Sequence, residues 1–367
     1  MNLLYISCLS GNYSHGLTYS VPAQIESQSK IDNVYWLNLN QEYKNINTTH
    51  VECNKIEEPL KFELSNLPPP FNKPDLVIFE GVYFISYWKL AISLKKLNIP
   101  YIIVPRSSLT KQAQQKKLLK KILANLLFFN SFVKNAAAIQ YLTKDEYLSS
   151  GEKWNNNYLI IPNGINKKQT LKKYSCKKLK GIFIGRLDIY QKGIDLLIEA
   201  CYQLKNEMKS AGCSIDIYGP EENGSKRKIK DLLYKYGLDE YIKVHDEIYL
   251  EKKEKALLES DFFILTSRFE GHPMGLIEAL SYGIPCLVTK GTNMSEEIKN
   301  NAAGWNANTE IKSISNAIKE VFKDRNILNI KGRNAIKLSQ KYNWENLAIE
   351  SRLKYNEILE ILKTGGK

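Results

Sequence analysis

Two glutamates with seven residues between them lie in the stretch from Ser267 to Thr289 and could bracket a sugar nucleotide. Glu270 stands in a loop before a predicted helix that opens at Pro273, and Glu278 lies one turn inside that helix. A carboxylate at Glu278 can accept hydrogen bonds from a ribose diol, whereas Glu270 could reach the other end of the ligand. Each glutamate alone could equally be a solvated surface carboxylate. The surrounding Gly-His-Pro-Met-Gly sequence favours binding.

The start of the same helix offers donors for a diphosphate. The N–H groups of Met274, Gly275 and Leu276 are expected to point out of the helix N-terminus, where unpaired donors and the helix dipole favour an anion. Gly275 has no side chain that would hold a phosphate away. Proline suits the first turn because the N–H that it lacks would be unpaired there.

A second group of candidate residues, Gly185, Arg186 and Lys192, follows the apolar run from Gly181 to Ile184. Arg186 and Lys192 would stand near the start of a helix predicted from Ile194 to Leu204. Two cations and helix N–H groups together would clamp a diphosphate, although two solvated basic residues are the alternative interpretation. Such a clamp makes an Asp-x-Asp metal motif unnecessary. We therefore expect neither a metal ion nor a cofactor.

The elements that must position these residues are typical of a parallel α/β sheet. Phe262 to Leu265 and Cys286 to Thr289 are apolar runs that predict buried parallel strands. Gly283 and Pro285 end the helix between them, which gives a βαβ unit. Its loop lies at the carboxyl end of a strand, where open α/β sheets bind ligands. The length of 367 residues suggests two domains.

The N-terminal half predicts a second sheet of the same kind. Apolar runs predict strands at Leu3–Cys8, Val34–Leu39, Asp75–Phe79, Tyr101–Val104 and Ala136–Leu142. A polar loop containing Gly11 and Gly16 follows the first strand and precedes a predicted helix from Leu17 to Ser27. This loop has no complete G-x-G-x-x-G and is therefore a weak signal on its own. Arg106 follows the strand that ends at Val104, where it could hold a phosphate or an acceptor hydroxyl, or simply flank the next helix.

These motifs resemble the retaining GT-B glycosyltransferases of the fourth sequence family. The resemblance rests on the two spaced glutamates, on the Gly-Arg and Lys-Gly pairs, and on the segment Ile-Ile-Pro-Asn-Gly-Ile-Asn that ends at residue 166, which is similar to the interdomain hinge of that family. It covers nearly the whole chain. It implies an α/β fold of two Rossmann-like domains facing a cleft: an acceptor domain over residues 1–165, a nucleotide-sugar domain over 166–343, and a helix over 344–367 that returns to the first domain.

The resemblance also implies roles for single residues. Arg186 and Lys192 would neutralise the leaving nucleoside diphosphate. Glu278 would hold the ribose and Glu270 would contact the donor sugar, with the acceptor attacking from the face that the leaving group occupies. Gly11 and Gly16 become candidates for close approach of a substrate to the backbone. Ordinary turn glycines explain these two residues equally well.

The chain departs from the family at the loop Pro105-Arg106-Ser107. Many relatives carry Pro-His-Gly there, and a subset that makes bacterial surface polysaccharides carries Pro-Arg-Gly. The resemblance therefore implies hexosyl transfer, from a UDP-sugar, to a lipid-linked glycan in capsule, O-antigen or exopolysaccharide synthesis. Asp246 stands where relatives usually have a glycine near the nucleotide base, so the identity of the base stays open. The alternative is a non-catalytic subunit that binds a sugar nucleotide in a polysaccharide assembly complex.

The charge and the cysteine content indicate which partners and which compartment to expect. A net charge of +13 favours an anionic partner, which could be a nucleic acid, a membrane or a substrate. The absence of zinc-finger spacing, RNP-like aromatics and a clear helix-turn-helix argues against nucleic acid. Lysines that merely reflect an AT-biased genome are an equally good explanation. Six scattered cysteines without a CxxC pair, and no signal-peptide pattern, predict a cytoplasmic protein, with peripheral contact to the inner face of the plasma membrane left open.

The stretch from Thr110 to Phe129 is basic and then apolar, and predicts one helix. Its lysines, Lys116, Lys117, Lys120 and Lys121, accompany an apolar stripe formed by Leu118, Leu119, Ile122, Leu123, Leu126 and Leu127. Such a helix could lie on an anionic membrane or pack on the sheet with a solvated basic face. Thr143 and Glu146 predict a capping box, and Ala303 to Trp305 is interpreted as a turn.

Overall fold

The computed structural model describes residues 1–11, 16–40, 48, 50–56, 58–174 and 179–364. Contacts divide the chain into two compact units. The first unit comprises Met1–Gly164 with Trp344–Lys367, and the second unit comprises Ile165–Asn343.

The first unit contains a parallel sheet of seven strands in the order β3-β2-β1-β4-β5-β6-β7. The strands are β1 Asn2–Ser7, β2 Asn33–Asn38, β3 Cys53–Lys55, β4 Leu76–Glu80, β5 Tyr101–Val104, β6 Ala138–Tyr141 and β7 Tyr158–Ile160. Successive side chains of β1 alternate between two buried clusters, with Leu4 and Ile6 in one and Leu3 and Tyr5 in the other. The sheet is therefore covered on both faces, which explains the continuous apolar runs in the sequence.

Helices connect most of these parallel strands, because parallel neighbours need a crossover connection. They are α1 Leu17–Ser29, α2 Ile85–Lys96, α3 Lys111–Gln115, α4 Leu118–Ala124, α5 Asn130–Lys134 and α6 Lys144–Ser150.

The second unit contains a parallel sheet of six strands in the order β10-β9-β8-β11-β12-β13. The strands are β8 Leu179–Ile184, β9 Cys213–Tyr218, β10 Ile242–His245, β11 Phe262–Leu265, β12 Cys286–Thr289 and β13 Gly304–Ala307. The helices are α7 Ile189–Lys192, α8 Ile194–Gln203, α9 Lys205–Ala211, α10 Ser225–Tyr236, α11 Leu250–Leu258, α12 Met274–Ser281, α13 Ser295–Asn300, α14 Ile311–Lys323 and α15 Leu328–Ser339. Strands and helices share one large apolar core.

The last helix, α16 Trp344–Lys363, belongs to the first unit. Tyr355 and Ile358 enter the cluster on the face that α1 also covers. The Tyr355 hydroxyl donates to Gln140 Oε1 on β6 at 2.7 Å. The predicted return of the C-terminal helix to the first domain is confirmed.

The prediction of a single helix from Thr110 to Phe129 is wrong. Lys117 adopts a left-handed conformation with φ of 57°, which ends α3 and starts α4 in a new direction. A π-helical segment, Asn125–Phe129, then joins α4 to α5. Two adjacent lysines give no sign of this break in the sequence pattern.

Three further local expectations need correction. Thr143 caps α6 by accepting from the Glu146 N–H at 3.0 Å, but the Glu146 carboxylate does not complete the capping box. It accepts instead from the N–H groups of Leu142 at 2.7 Å and Ser107 at 2.5 Å, and burial raises its pKa. The turn interpreted at residues 303–305 is wrong because Gly304 starts β13. The short helix α7 forms where only a loop was expected.

Candidate functional site

The carboxyl ends of β8 and β11 form a topological switch point in the second sheet. From β8 the chain continues through β9 and β10 on one side, whereas β11, β12 and β13 lie on the other. Ligands of open α/β sheets bind in the crevice at such a point. The residues predicted for the diphosphate and the donor sugar follow these two strands, at Gly185 and Arg186 after β8 and at Glu270 after β11.

Lys192 and Glu270 are in direct contact. The Lys192 Nζ lies 2.5 Å from Glu270 Oε1, and the Ser267 hydroxyl donates to the same oxygen at 2.7 Å. Both side chains of the ion pair are largely buried. The structure therefore places a cation and a carboxylate, 78 residues apart in sequence, at one point beside the switch between β8 and β11.

Arg186 lies next to this pair through Gln191. Its Nη1 is 2.8 Å from Glu222 Oε2, and its Nη2 donates to Gln191 Oε1 at 3.3 Å. The Gln191 amide donates in turn to the carbonyl of Phe269 at 3.5 Å. Gln191 thus connects the arginine with the loop that carries Glu270.

Gly193 fixes the position of Lys192 against β11. It ends α7 and precedes α8 with φ of 62°, a conformation that favours glycine. A Cβ on this residue would lie 2.0 Å from the carbonyl oxygen of Thr266, and the Thr266 hydroxyl donates to the Gly193 carbonyl at 2.9 Å. Only a residue without a side chain permits this close approach.

The start of α12 lies beside the end of β8. A Cβ on Gly275 would lie 3.2 Å from the Ile184 carbonyl oxygen, and no side chain caps the helix. The N–H of Leu276 donates to the Pro273 carbonyl at 3.1 Å, so the expectation of a free donor there is wrong. Met274 and Gly275 remain as the first-turn N–H groups that could reach a phosphate.

Gly185 lies under the Lys192 side chain. A Cβ at this position would lie 3.6 Å from Lys192 Cε. The lysine stem thus passes over the end of β8, which brings its charge close to the start of α12.

Glu278 lies among lysines, and within the described part of the chain its ion pairs are with these lysines rather than with Arg186 or Lys192. Its carboxylate pairs with Lys253 of α11, and Lys168 Nζ lies 3.9 Å away. Lys168 also stands 4.8 Å from the centre of the Tyr282 ring. A ribose diol would have to share this carboxylate with the two lysines.

Sequence reasoning missed several residues that shape the cluster. Asn293 adopts φ of 59° and its amide donates to the Glu270 carbonyl at 2.6 Å, so it holds the loop after β11. Arg268 forms a bidentate pair with Asp195 at 2.7 and 2.8 Å, which raises the pKa of the arginine. Gln191 and Glu222 have no motif that would identify them. The one detectable signal was Asn293 itself, because an asparagine in a loop can adopt a left-handed conformation.

A polar group lies on β8, β9 and β10 near the segment expected beside the base. The His245 ring stacks on Tyr218 with centroids 4.4 Å apart, and its Nε2 lies 2.8 Å from Asp216 Oδ1. Lys180 Nζ lies 2.9 Å from the other oxygen of Asp216. Burial alone would raise the pKa of Asp216, but the hydrogen bonds from His245 and Lys180 outweigh it and hold this pKa below its usual value.

Arg106 is part of a buried network in the first unit. Its Nε lies 2.7 Å from Glu80 Oε2, and its Nη atoms donate to Asn163 Oδ1 at 2.8 Å, Gln24 Oε1 at 3.0 Å and Ser20 Oγ at 3.3 Å. Each of its terminal nitrogens therefore has a protein partner. Its predicted contact with a substrate stays a prediction, and a ligand would have to displace these bonds.

Gly11 and Gly16 flank a loop whose residues 12–15 lie outside the described part of the chain. Gly11 is buried with φ of 71°. Gly16 precedes α1 with φ of −56°, a conformation open to any residue. Ser107, which replaces the usual glycine, has φ of 69°. This is a conformation that glycine adopts most readily.

Within the described ranges, no three His, Cys, Asp or Glu side chains cluster as a metal site would require. Across the same residues, every helix is too short or too polar to cross a membrane.

Comparison with known proteins shows what the second unit is similar to. Residues 166–338 match the model of glycosyl transferases group 1. Protein CapJ of Staphylococcus aureus is 26% identical over 327 residues, which cover 83% of this chain and 72% of CapJ. The UDP-Gal:alpha-D-GlcNAc-diphosphoundecaprenol alpha-1,3-galactosyltransferase of Escherichia coli is 32% identical over 114 residues, 30% of this chain and 29% of that protein.

A solved structure extends the similarity to both sheets. The Anabaena protein Alr3699/HepE in complex with UDP-glucose superposes with a TM-score of 0.68 at 15% identity, over 99% of this chain and 100% of that one. At this identity the likeness shows the fold alone. The chain therefore has the GT-B fold, and residues 166–338, which make up most of its second unit, resemble the glycosyl transferases group 1 family.

Proposed function

We propose that this chain transfers a hexosyl group from a UDP-sugar to a lipid-linked glycan, with retention of configuration, in the synthesis of a bacterial surface polysaccharide. One observation carries the proposal: Arg186, Lys192 and the start of α12 converge at the carboxyl ends of β8 and β11. Two cations and unpaired helix N–H groups at a switch point are the chemistry that recognises a diphosphate.

The charged residues have distinct roles in this proposal. Arg186 and Lys192 neutralise the charge that develops on the leaving nucleoside diphosphate, which is the largest contribution that such a site can make. Glu270, already oriented by Ser267 and Lys192, contacts the donor sugar. Glu278 holds the ribose, with Lys253 and Lys168 beside its carboxylate.

In the transfer step, the acceptor hydroxyl attacks the anomeric carbon from the side of the leaving diphosphate. The new bond joins the acceptor oxygen to that carbon, the bond from the carbon to the phosphate oxygen breaks, and the hydroxyl proton passes to a phosphate oxygen. Because side chains supply the positive charge, the reaction needs neither a divalent cation nor another cofactor. Residues 1–165 bind the acceptor and residues 166–343 bind the donor.

The relatives support the choice of substrates. The Anabaena structure contains UDP-glucose, and the name of the E. coli relative specifies a UDP-sugar donor and a diphosphoundecaprenol acceptor. A lipid-borne acceptor places the reaction at a membrane surface, and we propose that the chain acts there as a peripheral protein on the cytoplasmic face.

The test is a transfer assay with purified chain, radiolabelled UDP-glucose, UDP-galactose and UDP-N-acetylglucosamine, and an extract of lipid-linked glycans, in EDTA and in magnesium. The proposal predicts a labelled lipid product from at least one donor in EDTA, with the anomeric configuration of the donor by NMR. Donor binding without transfer or hydrolysis would instead support a non-catalytic subunit. An inverted product would refute the same-face step, and strict dependence on magnesium would refute the metal-free clamp.

A further inference from the structure

One side of the segment from Leu118 to Leu127 presents large apolar side chains to solvent. We call this set the leucine face, and its members are between 49% and 83% exposed. They are Leu118, Leu119, Ile122, Leu123, Leu126 and Leu127. α4 has no buried residue at all. Six neighbouring aliphatic side chains in water are unusual for a folded domain and mark an interaction surface.

The opposite side of the same segment is the one that faces the protein, and it is polar and aromatic. Lys121 Nζ donates to the Ala113 carbonyl at 2.5 Å, and Asn125 Nδ2 donates to Gln114 Oε1 at 3.1 Å. Phe128 then packs on Trp88 with ring centroids 5.0 Å apart. The usual amphipathic arrangement is thus inverted, because hydrogen bonds and rings anchor the inner side while the aliphatic side points outward.

The surroundings of the leucine face are strongly basic. Lys116, Lys117 and Lys120 are exposed beside it. From Gly81 to Lys144 the sequence contains eleven lysines and arginines and no aspartate or glutamate. Burial, together with the positive charges of Lys116 and Lys117, lowers the pKa of Lys121. A surface that is both apolar and uniformly basic is complementary to an anionic lipid layer.

We propose that the leucine face inserts into the interfacial region of an anionic phospholipid bilayer, with Lys116, Lys117 and Lys120 at the phosphate headgroups. This inference rests on the proposed function, in which the acceptor is borne by a membrane lipid. α4 is too short to span a bilayer, and its outward apolar side suits a segment that lies in the membrane plane. A second copy fits less well, because two such faces would bring lysines together without any acidic partner between Gly81 and Lys144.

The experiment is co-sedimentation of the full chain with vesicles of phosphatidylcholine alone or with phosphatidylglycerol. The test variant is Leu119→Glu/Leu123→Glu, a pair one turn apart on the leucine face. The matched control is Ile349→Glu/Leu353→Glu, an exposed pair of the same spacing on α16. Both pairs are exposed, so folding should survive, as thermal unfolding will verify. A third variant carries Lys116→Gln, Lys117→Gln and Lys120→Gln.

We expect wild type and the α16 control to bind the anionic vesicles, with weak binding to neutral ones. The leucine variant should lose at least ~50-fold in affinity, because charges replace two side chains that the bilayer buries in the bound state. The lysine variant should lose between ~10- and ~100-fold for anionic vesicles only.

Three outcomes would overturn the proposal. The wild type could fail to bind anionic vesicles, or the leucine variant could bind them as well as the wild type does. The third outcome is self-association of the wild type in sedimentation velocity, without vesicle binding, that the leucine variant alone abolishes. UDP binding measured by calorimetry on the same variants should be unchanged. A chain that binds vesicles but not nucleotides would refute the proposed function and leave the membrane surface intact.

Discussion

Each of the two sheets has an arginine–glutamate pair near the carboxyl ends of its strands, and the two pairs differ in exposure and in their other partners. Arg106 and Glu80 in the first unit are 5% and 1% exposed, and Arg106 has three further side-chain partners. Arg186 and Glu222 in the second unit are 33% and 36% exposed, and Arg186 also donates to one further side chain among the described residues, Gln191.

The difference indicates which arginine can exchange its partner for a ligand. A buried guanidinium with four hydrogen bonds to side chains cannot leave its network without leaving a buried carboxylate unpaired, which is expensive. A half-exposed pair contributes little to stability and loses little when an anion replaces the carboxylate. We therefore expect Arg106 to support the fold and Arg186 to support the reaction.

The largest expected effect is that of Arg106→Ala on stability. Removing the arginine leaves Glu80 buried without its cation and should cost about 3–5 kcal/mol in the free energy of unfolding. Chemical denaturation followed by tryptophan fluorescence measures this loss. An unchanged unfolding midpoint would show that the network does not stabilise the first unit and would return Arg106 to the list of substrate contacts.

Arg186→Ala should produce the opposite pattern. We expect turnover to fall by roughly 10²- to 10³-fold because the leaving diphosphate loses a cation, while the unfolding midpoint stays close to that of wild type. A steady-state transfer assay measures turnover, and thermal unfolding measures the midpoint. The control is Arg333→Ala, an exposed arginine on α15, which should change neither. Normal turnover in Arg186→Ala would refute the clamp.

Gly193→Ala tests whether close packing positions Lys192. The new Cβ would lie 2.0 Å from the Thr266 carbonyl, so we expect a loss of roughly 1–3 kcal/mol in stability and weaker donor binding. The matched control is Gly212→Ala, because Gly212 has a similar φ of 59° but open space around the position of its Cβ. It should show only the smaller conformational cost. Equal losses in both variants would show that the contact with Thr266 is unimportant.

The smallest expected effect is a gain. Glu222→Gln removes the carboxylate that competes with a diphosphate for Arg186, so UDP should bind more tightly by about 2- to 5-fold. Calorimetry at low salt measures the change. Glu221→Gln is the control, since Glu221 is exposed and the carboxylate that pairs with Arg186 is that of its neighbour Glu222. Weaker binding in Glu222→Gln would instead make Glu222 part of the nucleotide site.

The sequence was most informative where one physical cause decides the structure. Buried parallel strands such as Tyr101–Val104, Phe262–Leu265 and Cys286–Thr289 are continuous apolar runs, and the structure has them at those bounds. The break at Lys117 and the strand at Gly304 depend on tertiary contacts that local patterns do not contain. The sequence predicted neither.

The candidate site shows the same division. Motif spacing brought Lys192, Glu270 and Gly275 to one switch point, although their roles stay predictions. The partners of charged residues were not predictable: Arg106 and Arg186 both follow apolar strands, and only the structure distinguishes a buried network from a half-exposed pair. Leu276 illustrates the finer limit, because a tighter first turn uses a donor that an ideal helix would leave free.

The central claim is that the second unit binds a nucleoside diphosphate through Arg186, Lys192 and the start of α12. Titration calorimetry of the full chain with UDP in EDTA tests it most directly, with Lys192→Ala beside wild type. We expect wild type to bind UDP without magnesium and Lys192→Ala to bind at least ~10-fold more weakly. A folded wild type that binds none of UDP, GDP, ADP and CDP, or a variant that binds UDP as wild type does, would contradict the claim.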